Sequence, residues 1–210
     1  MVLYEFAPTR SIRPRWVLQE LDIPFDTVTV DLTNGEHRTP DFLKINPAGQ
    51  VPVLIDGDLV LTESVAISIY LSEKFPHRCL LPTDPRERAD AYKWLLFAAT
   101  ALEQPLWRMA KHTFLYPEPK RLPAEVDLAR DDFLAIAGVA EHHLATREYL
   151  VGTSATIADF VLAYTLDWAN EAGVLDNFPH LGAYMERMYL RPRAPMRIAE
   201  ALRQVGIVPS

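Results

Sequence analysis

The sequence predicts two regions of different class, a mixed α/β region over residues 1–78 and an all-α region over residues 87–210. Three observations carry this. Short apolar runs with strand-like alternation interleave with helical patterns before residue 78. Three prolines then stand within the eleven residues from Phe75 to Pro85, which breaks periodic structure and marks a linker. Beyond them helical periodicity continues with no convincing strand.

In order, Val2 to Phe6 reads as a strand, residues 7–11 as a turn, and the apolar set Ile12, Trp16, Val17, Leu18 and Leu21 as a helix opening near Ser11. Pro14 falls in the first turn, where a missing N–H has no helical partner to lose. With Ser11 as N-cap, Pro14 cannot donate to it, so the Ser11 hydroxyl is expected to be freer than a usual cap. Residues 26–31 alternate apolar and polar and predict a half-buried strand, completing a β-α-β unit. A polar loop and a short helix from Pro40 follow. Asp56-Gly57 between Val53–Ile55 and Leu59–Leu61 is a hairpin signal, and a helix is expected over residues 64–75.

The second region predicts five helices, over residues 86–114, 124–146, 157–172, 180–189 and 196–205. Thr156-Ile157-Ala158-Asp159 is a capping box with Asp in place of Glu or Gln, a structural device at the start of the third of them.

Composition excludes several classes. With 49% apolar and 23% charged residues the chain is an ordinary globular one, and a net charge of −7 without a basic run argues against nucleic acid or an anionic membrane as partner. One cysteine, Cys79, allows no internal disulfide and suits a reducing compartment, so a cytoplasmic protein without export signal or membrane span is expected. No metal is expected: His142 and His143 are adjacent and diverge on a helix, and no ligand-spaced His or Cys set exists. Nor is there a glycine-rich phosphate loop.

The chemistry concentrates in Asn46-Pro47-Ala48-Gly49-Gln50-Val51-Pro52-Val53-Leu54 and the following Thr62-Glu63-Ser64. Pro52 directly precedes an apolar strand, a position where proline is tolerated. A cis bond there would point the N–H and carbonyl of Val51 out of the sheet, toward an extended ligand. Ser64 opens a helix, where unpaired N–H groups and a partial positive charge suit a carboxylate, and Glu63 suits an ammonium. Together they fit an amino-acid end carrying both charges.

On Gln50-Val51-Pro52, Glu63-Ser64 and Glu36-His37-Arg38-Thr39-Pro40-Asp41-Phe42-Leu43-Lys44-Ile45-Asn46-Pro47, the chain resembles the cytosolic glutathione S-transferases over essentially its whole length, with the bacterial serine-type, theta-like or related classes as the expected branch. The resemblance implies a thioredoxin-like first domain that binds glutathione and an all-helical second domain that lines the electrophile site. It implies that Val51 and Pro52 present backbone to the peptide, that Glu63 and Ser64 hold its γ-glutamyl end, and that His37 and Gln50 face the glycine carboxylate. It also implies a cytoplasmic homodimer serving detoxification.

Such an enzyme must make a thiol nucleophilic near neutrality, whereas a free thiol has a pKa of about 8.5. A helix N-terminus and a hydroxyl donating to the sulfur anion both lower it. In the family the hydroxyl follows the first strand, so the candidates are Ser11, preferred, and Thr9, with Tyr4 a distant third; Arg10 or Arg13 would add positive potential. The family's beta class places a cysteine where this chain has Arg10, which argues against mixed-disulfide chemistry. The electrophile is expected against Trp107, Arg108 and His112 on the first helix of the second region, where aromatic surface mixes with polar points. Two rivals stay open: a glutathione-dependent isomerase, reductase or peroxidase on the same fold, and a non-catalytic glutathione-binding or protein-interaction module.

Overall fold

A computed structural model describes residues 1–206. They form two compact units: residues 1–81 with the segment from Arg191 onward, and Pro82–Leu190. The last four residues of the region 87–210 lie outside the described residues.

The first unit is built on four strands, β1 (Val2–Glu5), β2 (Asp26–Thr29), β3 (Val53–Asp56) and β4 (Leu59–Thr62), in the order β2-β1-β3-β4. β1 and β2 run parallel across α1 (Ile12–Leu21), while β3 is antiparallel to both β1 and β4. Alternation along β1 and β3 sorts the faces. Tyr4 and Val53 share one face with Phe42 of α2 (Pro40–Ile45) and Val30. Leu3 and Leu54, paired in register and fully buried, take the opposite face, on the side of α1 and α3 (Ser64–Lys74), two helices packed on each other. Trp16, Val17, Leu18, Leu21, Ile67 and Leu71 close that layer.

β2 differs from its expectation. All four residues are exposed, Val28 at 39%, because β2 is an edge strand and only Val30, just beyond it, turns into the core. The hairpin turn is also one residue later than the Asp56-Gly57 signal: Asp56 pairs with Leu59, so Gly57 and Asp58 are the central residues, with Gly57 supplying φ +64°. After the last helix of the second unit the chain returns to the first. Arg191 holds Glu20 through two hydrogen bonds of 2.6 and 2.8 Å, and Arg193 meets Asp22 at 2.7 Å, which docks the segment carrying α9 (Ile198–Gln204) on the C-terminal end of α1. The sequence placed this segment with the helical region.

In the second unit the predicted helix over residues 86–114 is continuous but not uniform. α4 (Pro85–Leu96) and α5 (Glu103–Ala110) are each followed by a π-helical stretch, Phe97–Leu102 and Lys111–Leu115. Pro105 accounts for the first: it cannot donate to the carbonyl of Ala101 and its ring crowds that carbonyl, so the chain widens upstream, with Glu103 N–H reaching Ala98. α6 (Pro123–Leu144) packs on α5, and α7 (Ile157–Glu171), buried at twelve of its fifteen positions, is the unit's axis, with α8 (Pro179–Tyr189) against it.

The capping box at the start of α7 is a hub. The Asp159 carboxylate, fully buried, accepts from Thr156 N–H (2.8 Å), Thr156 Oγ1 (2.9 Å), Leu150 N–H (2.9 Å) and Tyr184 Oη (2.7 Å). Burial pushes its pKa up from the usual carboxylate range, and these four donors oppose that push.

Candidate functional site

The turn between β1 and α1 is a knot of three residues. Thr9 Oγ1 donates to the Phe6 carbonyl at 2.5 Å, Thr9 Oγ1 and Ser11 Oγ lie 2.9 Å apart, and Phe6 N–H donates to Ser11 Oγ at 3.3 Å. A hydroxyl has one proton. Because that of Thr9 goes to the Phe6 carbonyl, the Thr9–Ser11 bond is donated by Ser11. Ser11 does lack the usual cap bond to the helix, as expected from Pro14, but its hydroxyl is not free: the residue is 1% exposed and its oxygen and proton are both engaged. Thr9 is half-buried and is the outer member of the pair. The Phe6 N–H, one residue beyond β1, is turned onto the Ser11 hydroxyl that was expected to face a ligand. Tyr4 packs on Phe42 with ring centroids 6.3 Å apart, away from this turn.

The loop before β3 is fixed by Asn46, a residue to which the sequence assigned no role. Asn46 Nδ2 donates to the Gln50 carbonyl at 2.7 Å, and Asn46 Oδ1 accepts from Ala48 N–H at 3.1 Å. This delivers Val51, half-buried, and the buried Pro52, joined by a cis bond; Ala7-Pro8 is cis as well. Gln50 is exposed. Gly49 takes φ +61°, and a Cβ there would lie 2.9 Å from the His37 carbonyl and 2.8 Å from Arg38 Nη1. Gly49→Ala is therefore expected to lower stability by about 2 kcal/mol, from left-handed strain plus a displaced backbone. A thermal-unfolding comparison checks it; an unchanged midpoint would show that the loop yields freely. His37 is half-buried with a buried, unpartnered Nδ1, which leaves Nε2 for an outside partner. Desolvation, then the charge of Arg38, push its pKa down, so the ring is neutral at pH 7.

At the start of α3, Glu63 is exposed and sits at φ 67°, ψ 112°, an unusual conformation for a residue with a Cβ, costing about 1–3 kcal/mol. Ser64 is 5% exposed and accepts from Arg13 Nη1 at 3.3 Å. Arg13 lies on α1 and is itself 2% exposed, so the start of α3 is tied to the helix that opens beside Thr9 and Ser11. In the sequence Arg13 stands only as a source of local positive potential.

In the second unit, Trp107 is half-buried, edge-on to Trp168 with centroids 6.3 Å apart. Arg108, expected as a polar point of the electrophile lining, is half-buried and paired. Its guanidinium holds Glu125 at 2.6 Å and also Asp132, both on α6, and those partners push its pKa up. Its work is to join α5 to α6. His112 accepts from Leu122 N–H through Nδ1 at 3.2 Å and stands edge-on to Tyr116. Among the described residues no group of three or more His, Cys, Asp or Glu side chains is placed to hold a metal ion, and no helix is long and apolar enough to cross a membrane.

Two family profiles match, "Glutathione S-transferase, N-terminal domain" over residues 1–73 and "Glutathione S-transferase, C-terminal domain" over residues 104–192. The chain is 31% identical to Glutathione S-transferase F10 of Arabidopsis thaliana over 202 residues, 91% of this chain and 94% of that one. It is 30% identical to Glutathione S-transferase GST-4.5 of Xanthomonas campestris over 190 residues, covering 90% and 92%. Among solved structures, Ure2p in complex with glutathione superposes with a TM-score of 0.84 at 25% identity, covering 92% of this chain and 95% of that one.

Proposed function

The chain belongs to the glutathione S-transferase family, and from that premise we propose that Thr9, backed by Ser11, is the hydroxyl with which it activates bound glutathione. The protein is a glutathione transferase, an enzyme with glutathione as co-substrate. The observation that carries the choice of Thr9 is the direction of donation in the turn: Ser11 gives its proton to Thr9, and Thr9 gives its own to a carbonyl. A thiolate is a stronger acceptor than a neutral carbonyl, and charge-assisted hydrogen bonds are roughly twice as strong as neutral ones. The Thr9 proton therefore transfers its allegiance to bound sulfur, while Ser11 still donates to Thr9 Oγ1 and keeps it polarised. The start of α1 adds its dipole. Stabilising the anion and not the thiol lowers the thiol pKa and raises the nucleophile's population at neutral pH.

The remaining contacts follow from charge. Val51 pairs its backbone with the peptide, Glu63 takes the ammonium of the γ-glutamyl end and Ser64 its carboxylate. Gln50 and the neutral His37 donate to the glycine carboxylate. The Trp107 face receives the hydrophobic electrophile, with His112 as a polar neighbour. The hydroxyl pair supports a serine-type class, the lone cysteine suits a cytoplasmic home, and membership of the family supports a detoxifying homodimer.

Calorimetric titration with glutathione and S-methylglutathione tests this. Both bind, and Glu63→Gln weakens both by about tenfold, the equivalent of about 1.4 kcal/mol; absence of binding would end the reading. Because the His37 pKa is pushed below its ordinary value, S-methylglutathione affinity should change little between pH 7 and pH 8, values spanned in the same titrations. A steep fall over that interval would mean that His37 binds as a cation.

A further inference from the structure

The Ser64 hydroxyl is committed in one direction. Its partner among the described residues is the Arg13 guanidinium at 3.3 Å, and a guanidinium has donors only. Ser64 Oγ must accept, and its single proton has to point elsewhere. The side chain is buried, with Ser64 at 5% and Arg13 at 2% exposure, so bulk water does not compete freely for that proton. A serine in a helix otherwise tends to turn its hydroxyl onto a backbone carbonyl of its own or the preceding turn, as Ser68 does onto the Ser64 carbonyl and Ser72 onto that of Ser68, both at 2.8 Å. Ser64, the first residue of an eleven-residue helix, is turned toward α1 instead.

We propose that Arg13 is a positioning residue: by donating to Ser64 Oγ it commits the Ser64 proton, alongside the N–H groups opening α3, to the carboxylate of the γ-glutamyl end of glutathione. This rests on the reading of Ser64 as a ligand contact. Arg13 does not touch the ligand in this role. It acts by fixing which way a buried hydroxyl donates.

The test is a double-mutant cycle on the full chain, with S-methylglutathione as the probe so that thiol ionisation plays no part. Ser64→Ala should weaken binding about tenfold to a hundredfold, the span expected of a hydrogen bond to a charged group. Arg13→Gln should weaken it about tenfold when Ser64 is present and less than about twofold in the Ser64→Ala background. Arg13→Lys, which keeps the charge and a donor, should recover most of the loss. If Arg13→Gln does not fold, Arg13→Lys is read alone: its shorter reach should cost a few-fold affinity that disappears in the Ser64→Ala background. Equal losses with and without Ser64, or no loss at all, would overturn the proposal while the functional reading stands. Failure of the wild-type chain to bind S-methylglutathione would remove the functional reading and this inference with it.

Discussion

Asp159→Ala is expected to destabilise the helical unit by about 3–5 kcal/mol, enough to consume much of the stability of an ordinary domain. The cause is not the lost carboxylate itself but the four donors it leaves behind. Leu150 N–H, both donors of Thr156 and the Tyr184 hydroxyl all point at it from buried positions, and each orphaned group carries its own desolvation cost. Tyr184 cannot escape the loss by ionising, because burial, the largest of the causes that push its pKa well above the ordinary phenol value, persists when Asp159 is gone. Asp159→Asn should fall between wild type and alanine, since one of its two heads becomes a donor facing donors. Urea unfolding followed by far-ultraviolet circular dichroism checks both. A loss under about 1 kcal/mol for alanine would show that water or a rearranged loop satisfies the hub.

The second large effect is on catalysis. Thr9→Val preserves shape and removes the hydroxyl, and it should lower kcat/KM about a hundredfold, comparable to deleting one preorganised donor from an anion site. The affinity for S-methylglutathione should barely change, because that ligand carries no sulfur anion. Ser11→Ala should cost about tenfold, since it acts through Thr9 and loses only the polarising bond. Steady-state kinetics with a chromogenic aryl electrophile separates the two. A larger loss for Ser11→Ala than for Thr9→Val would return the catalytic role to Ser11.

What the sequence made legible was local chemistry. Thr156 and Asp159 stand at capping spacing, Gly57 is available for a turn, and Val51-Pro52 enters an apolar strand; each constrains the backbone within a few residues, and each appears where expected to within a position. What stayed hidden depends on partners distant in sequence. Arg13 has the look of a surface residue until Ser64, fifty-one residues on, closes over it. Ser11 has the look of an available hydroxyl until the Phe6 N–H is turned onto it. The edge position of β2 depends on sheet order rather than on its own alternation. The two ion pairs of Arg108 likewise depend on Glu125 and Asp132 of α6, well beyond its own stretch of sequence.

Ultraviolet titration of bound glutathione from pH 5 to pH 9, reading thiolate absorbance in wild type and Thr9→Val side by side, tests thiol activation most directly. The prediction is a wild-type midpoint at least about one unit below the free-thiol value of about 8.5, and a return toward that value in Thr9→Val. A wild-type midpoint at the free-thiol value, with glutathione bound, would contradict activation by this turn.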